Sequence, residues 1–126
     1  MGRKSTKKAA SLKKHGDSLF DAGRMDEAIE EYKASIALDP SDACAHFSLG
    51  DAYFIKGRSE EALGEIREAM RLKPHWPFYH KKLGEMMEAM GRLDEAKEEY
   101  REALRIKPDL EAAREGLARI KKSPQR

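Results

Sequence analysis

The candidate metal ligands of this sequence are one cysteine and four histidines, and their spacing does not bring them together. Cys44 and His46 stand two residues apart, so on a helix they would point in different directions. His75 and His80 are five apart, which is the wrong spacing for one helical face. His46 and His80 are 34 apart, and each is expected to fill its own packing site. The sequence therefore predicts no metal site.

Three acids at equal spacing are the candidates for acid–base chemistry. Asp17, Asp51 and Glu85 follow one another at intervals of 34 residues. A catalytic pair would need burial or crowding to separate the two pKa values, and these acids are instead expected to line a solvated surface. The sequence also has no G-x-x-x-x-G-K-[ST] loop, no G-x-G-x-x-G after a strand and no H-E-x-x-H helix. It predicts a protein that is not an enzyme, with no cofactor and no small-molecule substrate.

Positive charge is concentrated at the N-terminus. The formal net charge is +2, yet Arg3, Lys4, Lys7 and Lys8 carry four positive charges with no acid among the first eight residues. We expect residues 1–8 to be a disordered basic arm and residues 123–126 a short tail. No apolar run reaches membrane-spanning length, the N-terminus lacks the apolar segment of a secretory signal, and one cysteine cannot form an internal bridge. These features predict a cytoplasmic protein.

A sequence repeat of 34 residues predicts the helices that position these residues. Gly16, Gly23, Ala28 and Pro40 recur as Gly50, Gly57, Ala62 and Pro74, and again as Gly84, Gly91, Ala96 and Pro108. Apolar residues between them follow the helical period. The second glycine of each set is expected to end the first helix of a hairpin, and the proline is expected to end the second helix. The repeat predicts three helical hairpins over 9–42, 43–76 and 77–110, followed by one capping helix over 109–122.

These positions resemble the tetratricopeptide repeat, whose pattern is W-x2-L-G-x2-Y, then A-x3-F, then P. The second unit matches it with Leu49, Gly50, Tyr53, Ala62 and Pro74, although a histidine replaces the aromatic opener. The third unit matches with Leu83, Gly84, Ala96, Tyr100 and Pro108, and the first with Gly16, Ala28, Tyr32 and Pro40. The resemblance implies an all-α, right-handed α-solenoid of three antiparallel hairpins plus a capping helix, forming a single domain over 9–122.

In this family the first helix of each hairpin lines a concave groove, which implies a site for an extended peptide or a partner helix. Packing residues occupy one face of each first helix, and the remaining stripe mixes lysines, acids and aromatic rings. For Phe54 we favour sideways packing over exposure, and Met86 is expected to be the exposed member of its methionine cluster. The predicted groove residues are Lys13, Asp17, Phe47, Ser48, Asp51, Phe78, Lys81, Lys82 and Glu85.

One branch of the family, the chaperone-binding co-chaperones, grips a C-terminal carboxylate with a two-carboxylate clamp. Lys13 matches that clamp and Lys82 keeps its charge, whereas the other three positions hold Asp17, Ser48 and Phe78. Asp17 would repel the carboxylate, so the sequence predicts a modified groove that takes acidic groups and an apolar side chain. The predicted function is a protein-interaction module, adaptor or co-chaperone-like. The alternatives are a self-assembling scaffold and a tether whose basic arm holds nucleic acid or an anionic membrane.

Overall fold

The computed structural model describes residues 3–122, and across this range every regular element is an α-helix. The helices form two compact units, one ending at Pro74 and the other beginning at His75, and each is described by itself. The first unit holds two hairpins and the second holds one hairpin with a further helix. The helices are α1 (Arg3–Asp21), α2 (Met25–Leu38), α3 (Ala43–Ile55), α4 (Ser59–Leu72), α5 (Pro77–Ala89), α6 (Leu93–Ile106) and α7 (Glu111–Lys122).

A glycine with positive φ closes the first helix of each hairpin. The φ angles are 79° at Gly23, 79° at Gly57 and 76° at Gly91, a region that side chains with a Cβ rarely adopt. The backbone N–H of Arg24 donates to the Leu19 carbonyl at 2.8 Å, which is the long hydrogen bond of a Schellman cap. The predicted ends of the first helices at these glycines are confirmed.

The residue after each of these glycines is an arginine that pairs with a glutamate in the first turn of the next helix. The Arg24 guanidinium donates twice to the Glu27 carboxylate, at 2.7 Å each. The pairs Arg58–Glu61 and Arg92–Glu95 repeat this geometry at 2.7 and 2.8 Å. A fork of this kind fixes the start of each second helix, and it places a carboxylate where the helix dipole favours one.

Small residues allow close contact between the paired helices of the first unit. A Cβ added to Gly16 would lie 2.7 Å from Tyr32 Cε1, and one added to Gly50 would lie 2.8 Å from Ile66 Cδ1. Ala28 is fully buried between the helices. The predicted role of these small residues in close helix approach is therefore confirmed for both hairpins of this unit.

The N-terminal segment differs from the prediction. Helix α1 begins at Arg3, so residues 3–8 are helical instead of forming a disordered arm. Ala9 is 2% exposed, and the Ser35 hydroxyl donates to the Ala9 carbonyl at 2.6 Å. Packing against α2 therefore anchors the helix at Ala9, and the arginine and lysines before Ala9 have the propensity to continue the helix toward the N-terminus. Residues 1–2 of the predicted arm and the predicted tail, 123–126, lie outside the described part of the chain.

The second unit is built around Tyr100. A Cβ at Gly84 would lie 2.6 Å from Tyr100 Cε1, and one at Gly116 would lie 2.5 Å from its Cζ. The ring is therefore held between α5 and α7 and is 1% exposed. Helix α7 begins at Glu111, two residues after the predicted start of the capping helix.

The expected exposure of Met86 is wrong, because its side chain is fully buried. Tyr79, Leu83 and Met86 follow the i, i+4, i+7 spacing of one helical face, and Tyr79 and Leu83 are also buried. Ala52, which occupies the same repeat position as Met86, is fully buried as well. The buried face of α5 therefore includes more residues than the repeat pattern predicted.

Candidate functional site

All nine predicted groove residues lie on the first helices of the hairpins, and each is partly exposed. They fall into two sets, one in each compact unit. The set of the first unit has Lys13 and Asp17 on α1, with three members on α3. The set of the second unit lies on α5. The complete lists are Lys13, Asp17, Phe47, Ser48 and Asp51 for the first unit and Phe78, Lys81, Lys82 and Glu85 for the second.

Lys13 and Asp17 on α1 form an ion pair with each other. Lys13 Nζ lies 3.1 Å from Asp17 Oδ2, and the Tyr32 hydroxyl donates to Asp17 Oδ1 at 2.7 Å. Burial of the Tyr32 ring, together with this hydrogen bond, raises the pKa of its hydroxyl well above the usual range, so Tyr32 remains a donor. A partner carboxylate approaching Lys13 would meet a lysine whose charge is balanced by Asp17.

Tyr32 was missed as a member of this cluster because sequence reasoning placed it in the core. Its ring is 1% exposed, as expected for the large residue of the repeat. Only its hydroxyl reaches the partly exposed Asp17, whose side chain is 44% exposed. The signal in the sequence was the choice of tyrosine at this position, where Ile66 stands in the next repeat.

The residues of α3 lie along the border of its buried face. Phe47, Ser48 and Asp51 are partly exposed, whereas Leu49 is 3% exposed and Ala52 is fully buried. Asp42, which precedes this helix, accepts a hydrogen bond from the Ala45 backbone N–H at 3.2 Å. Asp42 is therefore the N-cap of α3. The start of α3 is fixed by this cap, and with it the face that carries Phe47.

Two lysines on α5 share one carboxylate. Lys81 Nζ lies 3.4 Å from Glu85 Oε2 and Lys82 Nζ lies 3.2 Å from Glu85 Oε1. Phe78 precedes them by one helical turn and packs against Trp76, with ring centroids 5.0 Å apart. This end of α5 thus combines ammonium groups with an aromatic surface.

Trp76 is a candidate residue that sequence reasoning did not single out. It directly precedes α5 and is 36% exposed, one of two large hydrophobic side chains exposed within the described residues. Its ring also meets the buried Tyr79, with centroids 5.1 Å apart. It could have been noticed as the one tryptophan of the chain, placed at the junction of two repeats.

His46 and His80 have structural contacts with acids of the second helices. His46 Nδ1 lies 2.7 Å from Glu65 Oε1 and its Nε2 lies 2.9 Å from the Pro40 carbonyl, while His80 Nδ1 lies 2.8 Å from Glu99 Oε1. These contacts agree with the expectation that each fills a packing site. Within the described residues, His, Cys, Asp and Glu side chains form no group of three or more that could hold a metal ion.

An open pocket of about 370 Å³ lies between α1 and α2, away from the predicted stripe. Its acidic lining already has partners, because Asp26 pairs with Lys56, Glu27 with Arg24 and Glu31 with His15. The residues that line it are His15, Leu19, Asp26, Glu27, Glu30 and Glu31. Three of the four lining acids therefore already have a polar partner within the unit, and the pocket is not a candidate site.

From residue 3 to residue 122, no helix combines the length and the apolar character needed to cross a membrane.

Solved structures with similar folds include domains that bind chaperone peptides. The first TPR of Spaghetti (RPAP3), bound to the HSP90 peptide SRMEEVD, is 27% identical with a TM-score of 0.87, and the alignment covers 93% of each chain. The second TPR domain of human RPAP3, in complex with the HSP70 peptide SGPTIEEVD, is 28% identical with a TM-score of 0.86 over 94% of this chain and 99% of that one. MamA is 29% identical, with a TM-score of 0.83 over 89% of this chain and 66% of its own.

Family models match most of the repeat region. A TPR repeat model matches residues 16–57, and two tetratricopeptide repeat models match residues 45–75 and 77–110. A comparison with curated protein sequences found no match. The matched segments and the seven described helices agree with the 34-residue period. The chain belongs to the tetratricopeptide repeat family, and its fold is an all-α solenoid of helical repeats.

Proposed function

We propose that this chain is a non-enzymatic protein-interaction module that binds an acidic peptide carrying an apolar side chain. The observation that carries the proposal is the composition of the first-helix surfaces. Lysines and phenylalanines there remain partly exposed, while the residues that pack the hairpins are buried. Partly exposed aromatic rings beside ammonium groups suit a partner that offers both an apolar side chain and carboxylates.

The similar structures support this class of ligand. Both bound peptides, SRMEEVD and SGPTIEEVD, place a methionine or an isoleucine directly before two glutamates. Each domain is 27–28% identical to this chain and is covered almost completely by the alignment. We extend to this chain the chemistry of such a ligand, an aliphatic side chain followed by carboxylates, and a role as an adaptor or co-chaperone-like factor.

The contacts are proposed to differ from a two-carboxylate clamp. Asp17 balances Lys13 and is itself held by Tyr32, so this part of α1 offers no net positive charge to a terminal carboxylate. Phe78 brings an aromatic ring to a position where a clamp needs a cation. We therefore assign the main contacts to Phe78 and Lys82 of the second unit.

Fluorescence anisotropy titrations of labelled SRMEEVD test this proposal, with Phe78→Ala and Lys82→Glu as the variants. We expect each variant to bind about tenfold more weakly or worse, because truncating an aromatic contact or reversing a contact charge removes on the order of 1.4 kcal/mol. Lys121→Glu is the matched control, since Lys121 is an exposed lysine on α7 outside the proposed contact set.

Two results would contradict the proposal. One is wild-type protein that binds neither SRMEEVD nor SGPTIEEVD. The other is binding that is equal in the wild type, Phe78→Ala and Lys82→Glu. Circular dichroism of each variant separates a lost contact from a lost fold.

A further inference from the structure

Trp76 stands at the repeat position that Asp42 occupies in the preceding hairpin, where Asp42 caps a helix. Asp42 stands 34 residues earlier, and its side chain accepts a hydrogen bond from the Ala45 N–H at the start of α3. Trp76 is the N-cap residue of α5 and makes no capping hydrogen bond through its side chain. An indole ring cannot accept such a bond, so the chain gives up a stabilising contact at this helix start. Pro77, at the first helical position, compensates in part.

The ring of Trp76 packs against the rings of Phe78 and Tyr79. Its centroid lies 5.0 Å from Phe78 at an interplanar angle of 52°, and 5.1 Å from Tyr79 at 76°. Tyr79 is 2% exposed, so it forms a buried base for the indole. Phe78 is partly exposed and Trp76 is 36% exposed. These two rings therefore offer a rigid apolar surface, since the contacts restrict the rotation of both side chains.

A cation lies one helical turn further along α5. Lys81 follows Phe78 by three residues, a spacing that places the two side chains next to each other on a helix. Lys81 Nζ is 3.4 Å from Glu85, and its side chain is 24% exposed. Lys81 shares Glu85 with Lys82, so a partner carboxylate can replace Glu85 at Lys81 while Glu85 stays paired with Lys82.

We propose that Trp76 and Phe78 hold the aliphatic side chain of an acidic peptide, while Lys81 pairs with the second of two carboxylates that follow it. Neighbouring positions on a helix face are about 5–6 Å apart, and an extended peptide advances about 3.3–3.6 Å per residue with successive side chains on opposite faces. The second acid therefore lies about 7 Å beyond the aliphatic side chain on the same face of the peptide, within reach of the flexible Lys81 side chain. The inference rests on the proposed function and names the part of the peptide that the second unit recognises.

The single tryptophan makes the proposal directly measurable. Titration of the full chain with unlabelled SRMEEVD should change the intensity and the wavelength of Trp76 emission with saturation, because a bound methionine side chain would remove water from the ring. Anisotropy of the labelled peptide gives the affinity independently. We expect Trp76→Ala to weaken binding about tenfold and Trp76→Phe to keep most of the affinity.

A peptide in which serine replaces the methionine completes a double-mutant cycle. It should bind the wild type about tenfold more weakly than SRMEEVD, and this difference should shrink in Trp76→Ala, where Phe78 alone contacts the methionine. Trp76→Asp is a second variant that keeps the helix start, since it restores the side-chain type of Asp42. We expect it to lose affinity while circular dichroism shows a folded chain.

The possible failures can be told apart. If labelled SRMEEVD binds the wild type, but Trp76 emission is unchanged and Trp76→Ala has the same affinity, this inference is wrong and the proposed function stands. If neither labelled SRMEEVD nor labelled SGPTIEEVD binds the wild type, the proposed function fails as well. Emission that changes with chain concentration in the absence of peptide would show a second copy of the chain on this surface, and would overturn the choice of a peptide as its occupant.

Discussion

At the scale of single residues, glycine inside the helices is used in two ways. Gly84 and Gly116 are buried against the Tyr100 ring, with no space for a Cβ. Gly64 lies inside α4, is exposed, and has no other atom within 4 Å of a Cβ position. The first type permits close packing, whereas the second only weakens its helix.

Gly84→Ala is therefore expected to destabilise the chain and Gly64→Ala to stabilise it. The new Cβ at Gly84 would lie 2.6 Å from Tyr100, and the ring cannot move away because Gly116 holds its other side. We expect a loss of about 1–3 kcal/mol, as is typical of overpacking. Gly64→Ala should gain about 0.5–1 kcal/mol through helix propensity.

Urea unfolding followed by circular dichroism at 222 nm measures both variants against the wild type. The prediction would be wrong if Gly84→Ala were as stable as the wild type, or if the two substitutions shifted the midpoint in the same direction. Since both changes are glycine to alanine inside a helix, the difference between them isolates the contact with Tyr100.

The residue scale also shows where sequence information ends. The repeat pattern predicted the tight contact at Gly84 because Gly84 shares its position with Gly16 and Gly50. It did not identify Gly116, which lies in the last helix outside the three repeats. It likewise did not identify the hydrogen bond from Tyr32 to Asp17, because a pattern of apolar positions does not contain the direction of a hydroxyl group.

At the scale of the element, the 34-residue period with its glycines and prolines predicts well where helices begin and end. It predicts less well which residues the neighbouring helices bury. Helix α4 (Ser59–Leu72) lies between Gly57 and Pro74, a glycine and a proline that were predicted to end helices. No glycine or proline of the repeat precedes helix α1. Its predicted start, residue 9, is six residues after the observed start at Arg3. Met86 was misplaced because the width of a buried arc depends on the helices that pack against it.

Helix α7 is attached to α5 by a charged group as well as by apolar packing. The Arg119 guanidinium donates to both oxygens of Glu88, at 2.7 and 2.8 Å, and the Tyr100 hydroxyl donates to Glu88 at 2.9 Å. The hydrogen bonds from Arg119, together with the one from Tyr100, lower the pKa of the Glu88 carboxyl, although its partial burial opposes the shift. The ionised form of Glu88 is therefore favoured by folding.

This attachment is predicted to weaken in acid. Because the pKa of Glu88 is lower in the folded state, its contribution to stability is fully present above the ordinary pKa of 4.5 and is lost as the pH falls through the folded value. We expect Glu88→Gln to lower the free energy of unfolding at neutral pH by at most about 1 kcal/mol, since Arg119 is 57% exposed.

The difference in stability between the wild type and Glu88→Gln should shrink below about pH 4.5. Urea unfolding at pH 7 and at pH 3 measures it, and Arg119→Gln should show the same dependence on pH. A difference that is constant with pH, or one that grows in acid, would contradict the assignment.

At the scale of the whole molecule, the charges of the chain are many but nearly balanced. Twenty-five lysines and arginines oppose 23 aspartates and glutamates, which gives a formal net charge of +2. Most of the described ion pairs join residues three or four apart in the sequence, such as Arg58 with Glu61 and Lys13 with Asp17. Long-range attraction of an acidic peptide is therefore small, and contact pairs must provide the electrostatic part of its binding.

This balance predicts a moderate dependence of peptide binding on salt. Raising NaCl from about 0.05 to 0.5 M should weaken the affinity for SRMEEVD by about three- to tenfold, as expected for one or two partly exposed ion pairs. Binding to nucleic acid through the four N-terminal basic residues would instead fall roughly a thousandfold or more over the same range. Anisotropy titrations with the labelled peptide and with a labelled DNA duplex, at several salt concentrations, separate the two cases.

Lys7 and Lys8 provide the control for the N-terminal charge, since both are exposed on α1. The double variant Lys7→Gln with Lys8→Gln should leave peptide affinity and its salt dependence unchanged, because neither lysine belongs to the proposed contact set. Loss of peptide binding in this variant, or tight DNA binding that disappears with it, would favour the tether over the interaction module. Peptide affinity that does not change with salt would exclude a contact between a lysine and a carboxylate, because such a pair must weaken as ions screen it.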